Sequence, residues 1–314
     1  VTAPFADRLA SAVREKRSPC CIGLDPRPEW LPSEIRSTLA VRPTAASIAR
    51  ALERFHTRIL ERIAPIVPIV KPQLAFFEQL GSAGVAAYED LVERARRLGL
   101  LVLADAKRAD IGTTSEAYAR AFLGGGSVEG AEISPPAADA MTVQPYMGSD
   151  SLEPFVEACD RRAVGVFVLV KTSNPGSAEL QELRCGERRV CDHVAEMVAR
   201  LGRTRVGASG YSPVGAVVGA THPSDLAPLR AAMPHAVLLL PGYGAQGAKA
   251  DDVVGAFDAR AGGALVVAAR SVNFAYRRSD GAEDRDWEGS IERAARDMNA
   301  SVAAALERAG KPLR

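Results

Sequence analysis

The segment LADAKRADIGTT, residues 103–114, puts an aspartate, a lysine and a second aspartate at positions 105, 107 and 110, directly behind an apolar run. Residues two apart on an extended strand face the same way, so Asp105 and Lys107 share the space beyond the strand end. A carboxylate and an ammonium about 4 Å apart attract by roughly 4 kcal/mol at an effective dielectric near 20, and two carboxylates at that range repel as strongly. Lys71 stands between the apolar runs IVPIV and PQLAFFE, where a half-buried ammonium needs a partner that Asp105 on the next strand would supply. Alternating signs then keep Lys71, Asp105, Lys107 and Asp110 ionised together at neutral pH. Such fixed charges can stabilise charge that develops on a bound reactant. The plainer alternative makes D-x-K a solvated strand end, and Thr113 with Glu116 a capping box that starts the next helix.

A second group of residues suits an anion. LLLPGYGAQG is followed by VVAARSVNF, so a glycine-rich turn and Arg270 sit behind successive apolar runs. Loops at these strand ends commonly bind phosphate: glycines allow close backbone approach and free N–H groups to the oxyanion, Arg270 adds a bidentate charge, and Gln246 is placed to close over the phosphate. A tight turn with no ligand is the competing explanation. Asp25, Ser173 and Lys171 also stand at the ends of apolar runs, and Lys171 fits either a substrate contact or a lysine whose stem packs along the core.

Eight short apolar runs must position these groups: CCIGLD, IVPIVK, LVLADAK, AMTVQPY, VGVFVLVK, VGAVVGAT, AVLLLPGYG and ALVVAARS. Segments of helical period lie between most of them. One carries Val85, Tyr88, Leu91, Val92, Ala95 and Leu98, and the closing helix carries Ile291, Ala294, Met298, Val302, Ala305 and Leu306 before Gly310 and Pro312 end it. Near-continuous aliphatic strands alternating with amphipathic helices predict an α/β fold, a (β/α)8 TIM barrel over residues 1–314, whose working residues sit at the carboxyl ends of the strands. A doubly wound open sheet is the rival, but CIGLDPRPEW offers one glycine where that fold carries a glycine-rich turn. Residues 123–138 form a glycine-rich segment expected to be a flexible insertion, and RRSDGAEDRD at 277–286 a polar surface loop. At the amino terminus Phe5, Leu9, Ala12 and Val13 share one helix face.

Composition narrows the function. The 314 residues carry 39 Lys and Arg against 38 Asp and Glu, so no long-range field draws nucleic acid or an anionic membrane. No apolar run approaches the roughly 20 residues of a membrane span. Five cysteines with no CxxC spacing fit free thiols and a cytoplasmic location, and the charged amino-terminal segment does not read as a signal peptide. The chain opens on Val, which suggests a trimmed start. None of the four histidines has a catalytic spacing, and His222 reads as a loop residue.

In order along the chain, CIGLDPRPEWLP, VKPQLAFFE, LADAKRADIGTT, TVQPYMGSDSLEPF, LVKTSNPGS, GAVVGAT, LPGYGAQG and AARSV resemble the orotidine 5'-phosphate decarboxylase family, in its longer bacterial form. The resemblance implies conversion of orotidine 5'-monophosphate to UMP and CO2 in pyrimidine biosynthesis, with no metal or organic cofactor. It implies that Lys107 protonates C6, Asp105 lies beside the departing carboxylate, and Lys71 orients it and contacts the ribose. It also implies that Asp25 binds a ribose hydroxyl, Ser173 meets the pyrimidine edge, and Gln246 and Arg270 hold the phosphate. Asp110, Ile111 and Thr114 would enter the neighbouring subunit's site, making the enzyme a homodimer. Ala109 stands where close relatives carry glycine, and the base contacts of Asn174 stay open. Sugar-phosphate decarboxylases and synthases of the same superfamily share a D-x-K-x-x-D strand but use Mg2+ and an acidic residue in place of the strand-two lysine; Lys71 argues against them. A catalytically silent nucleotide-binding barrel would keep Gln246 and Arg270 without needing the charge array.

Overall fold

The structure is a computed structural model that describes residues 2–133 and 136–313. The eight apolar runs become a closed parallel barrel of β1 (Cys20–Leu24), β2 (Ile69–Pro72), β3 (Leu101–Arg108), β4 (Ala140–Val143), β5 (Gly165–Lys171), β6 (Val214–Val218), β7 (Leu238–Pro241) and β8 (Ala264–Ala268). Neighbours follow chain order, and β8 closes onto β1 with Cys20 opposite Val266. The period of two sorts the side chains into two cores. Cys21, Ile69, Leu103, Phe167, Leu239 and Leu265 fill the interior, while Ile22, Val70, Val102, Met141 and Val166 face the helices outside.

Helices α1 (Phe5–Lys16), α2 (Ala45–Ile63), α3 (Ser82–Arg97), α4 (Gly112–Leu123), α5 (Ser149–Arg162), α6 (Val190–Gly202), α7 (Pro223–Ala232) and α8 (Trp287–Arg308) accompany the strands, and a 3-10 segment, Asp251–Ala256, bridges β7 to β8. Helix α1 plugs the end of the barrel where the strands begin. Phe5 packs edge-on against Phe167 with ring centroids 6.1 Å apart. Burial of Phe5 and of Leu9 contributes on the order of 2 kcal/mol each. The opposite end is left free for polar residues.

Two local expectations are corrected. Val85 is 40% exposed, because Gly84 takes the inward position: a Cβ there would come within 1.9 Å of the Phe77 carbonyl, so α3 packs closely on the short helix Leu74–Glu78 through glycine. Helix α4 starts without the Thr113–Glu116 capping box. Its flanking residue is Ile111, whose N–H donates to Asp110 Oδ1 at 2.8 Å, while the Ser115 hydroxyl donates to the Asp110 carbonyl. Within the expected insertion, Ser127–Val128 and Ala131–Glu132 pair as an antiparallel hairpin, and residues 134 and 135 lie outside the described residues. All five thiols are free, four of them buried. Among the described residues no helix is long and apolar enough to cross a membrane.

His56 on α2 is fully buried, with Nδ1 2.9 Å from the Leu52 carbonyl and, among the described residues, no partner for Nε2. Burial lowers its pKa from 6.5 to about 4, despite the opposing effect of the Leu52 bond. Folding then excludes a proton that the unfolded chain accepts, so this stabilisation is complete above pH 6.5 and is lost as the pH falls through 4, by about 3 kcal/mol in all. Urea midpoints at pH 7 and pH 4 should differ less in His56→Phe than in the native chain; equal differences would contradict this assignment.

Candidate active site

The polar strand ends converge on a cavity of about 960 Å³ at the carboxyl end of the barrel. Asp25, Lys71, Asp105, Lys107, Ser173, Gln246 and Arg270 all line it. This is the open end of the fold, where the loops after the strands are free to vary around a rigid frame.

Asp105 is the hub. Its Oδ2 accepts from Lys71 Nζ at 2.7 Å and from Gln73 Nε2 at 2.8 Å, and its Oδ1 accepts from Lys107 Nζ at 2.5 Å and from Thr142 Oγ1 at 3.0 Å. Burial alone would raise its pKa, yet the charges and hydrogen bonds of Lys71 and Lys107 hold the carboxyl well below the ordinary value. Burial would likewise discharge Lys71, which is 6% exposed, but the Asp105 and Asp25 carboxylates outweigh that and push its pKa up. Lys107 is more open, its side chain 40% exposed, so one ammonium of the pair is fixed at the base of the cavity and the other reaches into it.

Asp25 behaves in the opposite way. Burial raises its pKa and the Asp105 carboxylate adds to this, with Lys71 opposing both. Its Oδ1 is buried and has no hydrogen-bond partner among the described residues. A buried acceptor left open toward a cavity is suited to a hydroxyl donor from a ligand.

The glycine-rich loop after β7 is built differently from the expectation. Gly244 N–H donates to the Ala248 carbonyl and Gly247 N–H to the Gly244 carbonyl, so these amides shape the loop. Gly242 has φ 111°, and a Cβ there would stand 3.1 Å from the Thr221 methyl and 3.3 Å from Gln246 Oε1. Glycine therefore lets the Gln246 side chain lie beside the β7 end, and Arg270 lines the same cavity from the end of β8.

Not every expected residue gathers here. Asp110, Ile111 and Thr114 lie at the start of α4 and do not line this chain's cavity; Ile111 is 58% exposed. Lys171 is wholly buried and is paired with Glu182 at 2.6 Å and with the Ser177 hydroxyl at 3.3 Å, which ties down the loop after β5. Asn174 borders the cavity and accepts from the Thr172 hydroxyl. Among the described residues one trio, Glu182, His222 and Asp225, is spaced to hold a cation, but Lys171 and Arg189 already neutralise its two carboxylates. Gln73 and Thr142 were not anticipated. Gln73 lies two residues past Lys71, the same spacing that linked Asp105 to Lys107, whereas a threonine within AMTVQPY gives no signal of its own.

Comparison with known proteins identifies the family. Residues 18–283 match the model of the Orotidine 5'-phosphate decarboxylase / HUMPS family. An orotidine 5'-phosphate decarboxylase of Rhodopirellula baltica is 48% identical over 298 residues, covering 94% of this chain and 97% of its own. The solved structure of the Leishmania donovani OMP decarboxylase is similar with a TM-score of 0.70 at 33% identity, over 95% of this chain and 98% of that one. UMP synthase of the same organism is similar with a TM-score of 0.72 at 34% identity, over 96% of this chain, which spans only 57% of that longer protein.

Proposed function

The chain belongs to the orotidine 5'-phosphate decarboxylase family, and from that premise we propose that it decarboxylates orotidine 5'-monophosphate to UMP by means of the Lys71–Asp105–Lys107 array, with Lys107 as the proton donor. It is a carboxy-lyase of pyrimidine biosynthesis. The observation that carries the detailed reading is the ionised, buried Asp105 held between two ammonium groups in the cavity floor.

The chemistry asks for such an array. When the bond from C6 to the carboxylate breaks, its electron pair stays on C6, where no adjacent carbonyl delocalises it. Stabilisation must then come from charges fixed before the reaction begins, and for the most demanding reactions this amounts to about 20 kcal/mol. The Lys107 ammonium stands nearest such a carbanion, transfers its proton to C6 as CO2 departs, and recovers a proton from solvent. Asp105 lies against the substrate carboxylate and disfavours that charge until it leaves.

The remaining groups bind and orient. Asp25, with its open buried oxygen, accepts from a ribose hydroxyl, and Lys71 orients Asp105 and the sugar. Ser173 meets the pyrimidine edge. Gln246 and Arg270 hold the phosphate, a non-reacting group whose binding energy helps close the site over the ring. No metal ion or organic cofactor has a part in this scheme.

Asp110, Ile111 and Thr114 complete the site of a second subunit. Their absence from this chain's own cavity supports that reading, as does the exposure of the apolar Ile111 side chain.

Two experiments test these assignments. Lys107→Ala should abolish turnover of orotidine monophosphate, followed by ultraviolet absorbance in the presence of EDTA, while UMP still binds; Arg270→Ala should instead raise KM. Unchanged turnover in Lys107→Ala would refute the proton-donor role, and an unchanged KM in Arg270→Ala the phosphate role. For the shared site, Lys107→Ala and Asp110→Asn proteins should each be inactive alone and regain activity when their subunits are exchanged, because one site of each hybrid is then intact. No recovery in verified hybrids would place Asp110 in its own chain's site.

A further inference from the structure

We infer that Thr142 is a positioning residue: its hydroxyl holds the backbone of Lys107 and the carboxylate of Asp105 in one fixed relation, which sets where the proton donor points. The inference rests on the reading that Lys107 protonates the substrate.

The need for such a device comes from the backbone. Lys107 has φ 47°, in the left-handed region that a non-glycine residue occupies at an energetic disadvantage. The pairing between β3 and β4 slips at the same place: Ala104 lies opposite Met141 and Arg108 opposite Val143, so four steps along β3 match two along β4. A bulge of this kind leaves N–H groups without the ladder partner that a regular strand provides.

Thr142 is the residue of β4 that stands opposite the bulge. Its Oγ1 accepts from the Lys107 N–H at 2.9 Å and donates to Asp105 Oδ1 at 3.0 Å. The side chain is buried, 1% exposed, which limits competition from water. One hydroxyl thereby satisfies the amide of the bulge and orients the carboxylate oxygen that receives Lys107 Nζ. Both bonds run in one direction, from amide to hydroxyl to carboxylate, and each strengthens the other.

The far side of the bulge is held separately. Arg108 donates to the Ala106 carbonyl at 2.9 Å, pairs with Glu78, and lies over the rings of Tyr118 and Phe122. With Arg108 anchored outside and Thr142 inside, the Lys107 side chain has little freedom to leave the cavity. Without the hydroxyl, its amide loses its partner and the lysine can relax toward an ordinary strand conformation, away from C6.

The test compares Thr142→Val, which keeps shape and removes the hydroxyl, with Thr142→Ser, which keeps the hydroxyl. Thr142→Val should lower kcat by roughly 30- to 100-fold with KM and UMP binding little changed, as expected for a misplaced catalytic group. It should slow hydrogen–deuterium exchange at C6 of UMP in D2O in parallel, and Thr142→Ser should restore most of both. A folded Thr142→Val enzyme with native kcat, or a serine variant as slow as the valine one, overturns the inference. Protection of the Lys107 amide from hydrogen exchange in the unaltered protein is an independent measurement that needs no variant; rapid exchange there also overturns it. If Lys107→Ala is inactive but Thr142→Val is normal, the positioning role alone fails; if Lys107→Ala is active, the underlying mechanism fails.

Discussion

An ionised carboxylate buried between two ammonium groups is the constraint on which the rest of the site depends. Removing Asp105 and Lys71 from water carries a desolvation cost of several kcal/mol per ion, and mutual attraction offsets it only when geometry is good and the remaining hydrogen-bonding positions are filled. Both conditions are met at Asp105, where Lys71, Gln73, Lys107 and Thr142 each supply a donor. Losing either lysine would leave the buried carboxylate less fully compensated. The array is therefore rigid because its electrostatics leave no comfortable alternative, and rigidity is what a site that stabilises a developing charge requires.

The barrel makes that arrangement possible. Alternation along β2 and β3 directs Ile69 and Leu103 into the apolar interior and, two residues later, Lys71 and Asp105 into the cavity. The same rule thus builds the core and the site from consecutive turns of the pleat. Plugging the opposite end with α1 keeps the apolar interior buried beneath the charges. Asp25 and Asp105 then show how much environment decides: both face Lys71, yet one has its pKa raised and the other lowered. The one pushed up has an oxygen with no partner, and the one pushed down has every oxygen engaged.

Much of this was legible in the residues. Eight apolar runs gave the eight barrel strands; Asp105 and Lys107 were identifiable from their spacing by two, and Lys71 from its place between two apolar runs. What escaped depends on pairing between segments. Thr142 matters only because the β3–β4 register slips opposite it, and no period counted along one strand reveals a slip between two. TTSE satisfied the pattern of a capping box, but the helix began earlier and Asp110 met the exposed Ile111 amide instead. Val85 fitted the helical stripe, yet close packing on Phe77 rotated Gly84 inward. Asp110, Ile111 and Thr114 carry the family pattern while lying outside this chain's cavity, a placement that sequence spacing cannot distinguish from residence within it.

The most direct test of the central claim is a carbon-13 titration of the aspartate carboxyls in the unliganded protein, with Asp105 and Asp25 assigned through their asparagine variants. Asp105 should keep the chemical shift of an ionised carboxylate as the pH is lowered from 7 past 3.8, the ordinary aspartate value, while Asp25 takes up its proton above that value. A midpoint for Asp105 at or above 3.8 would contradict a carboxylate locked between Lys71 and Lys107.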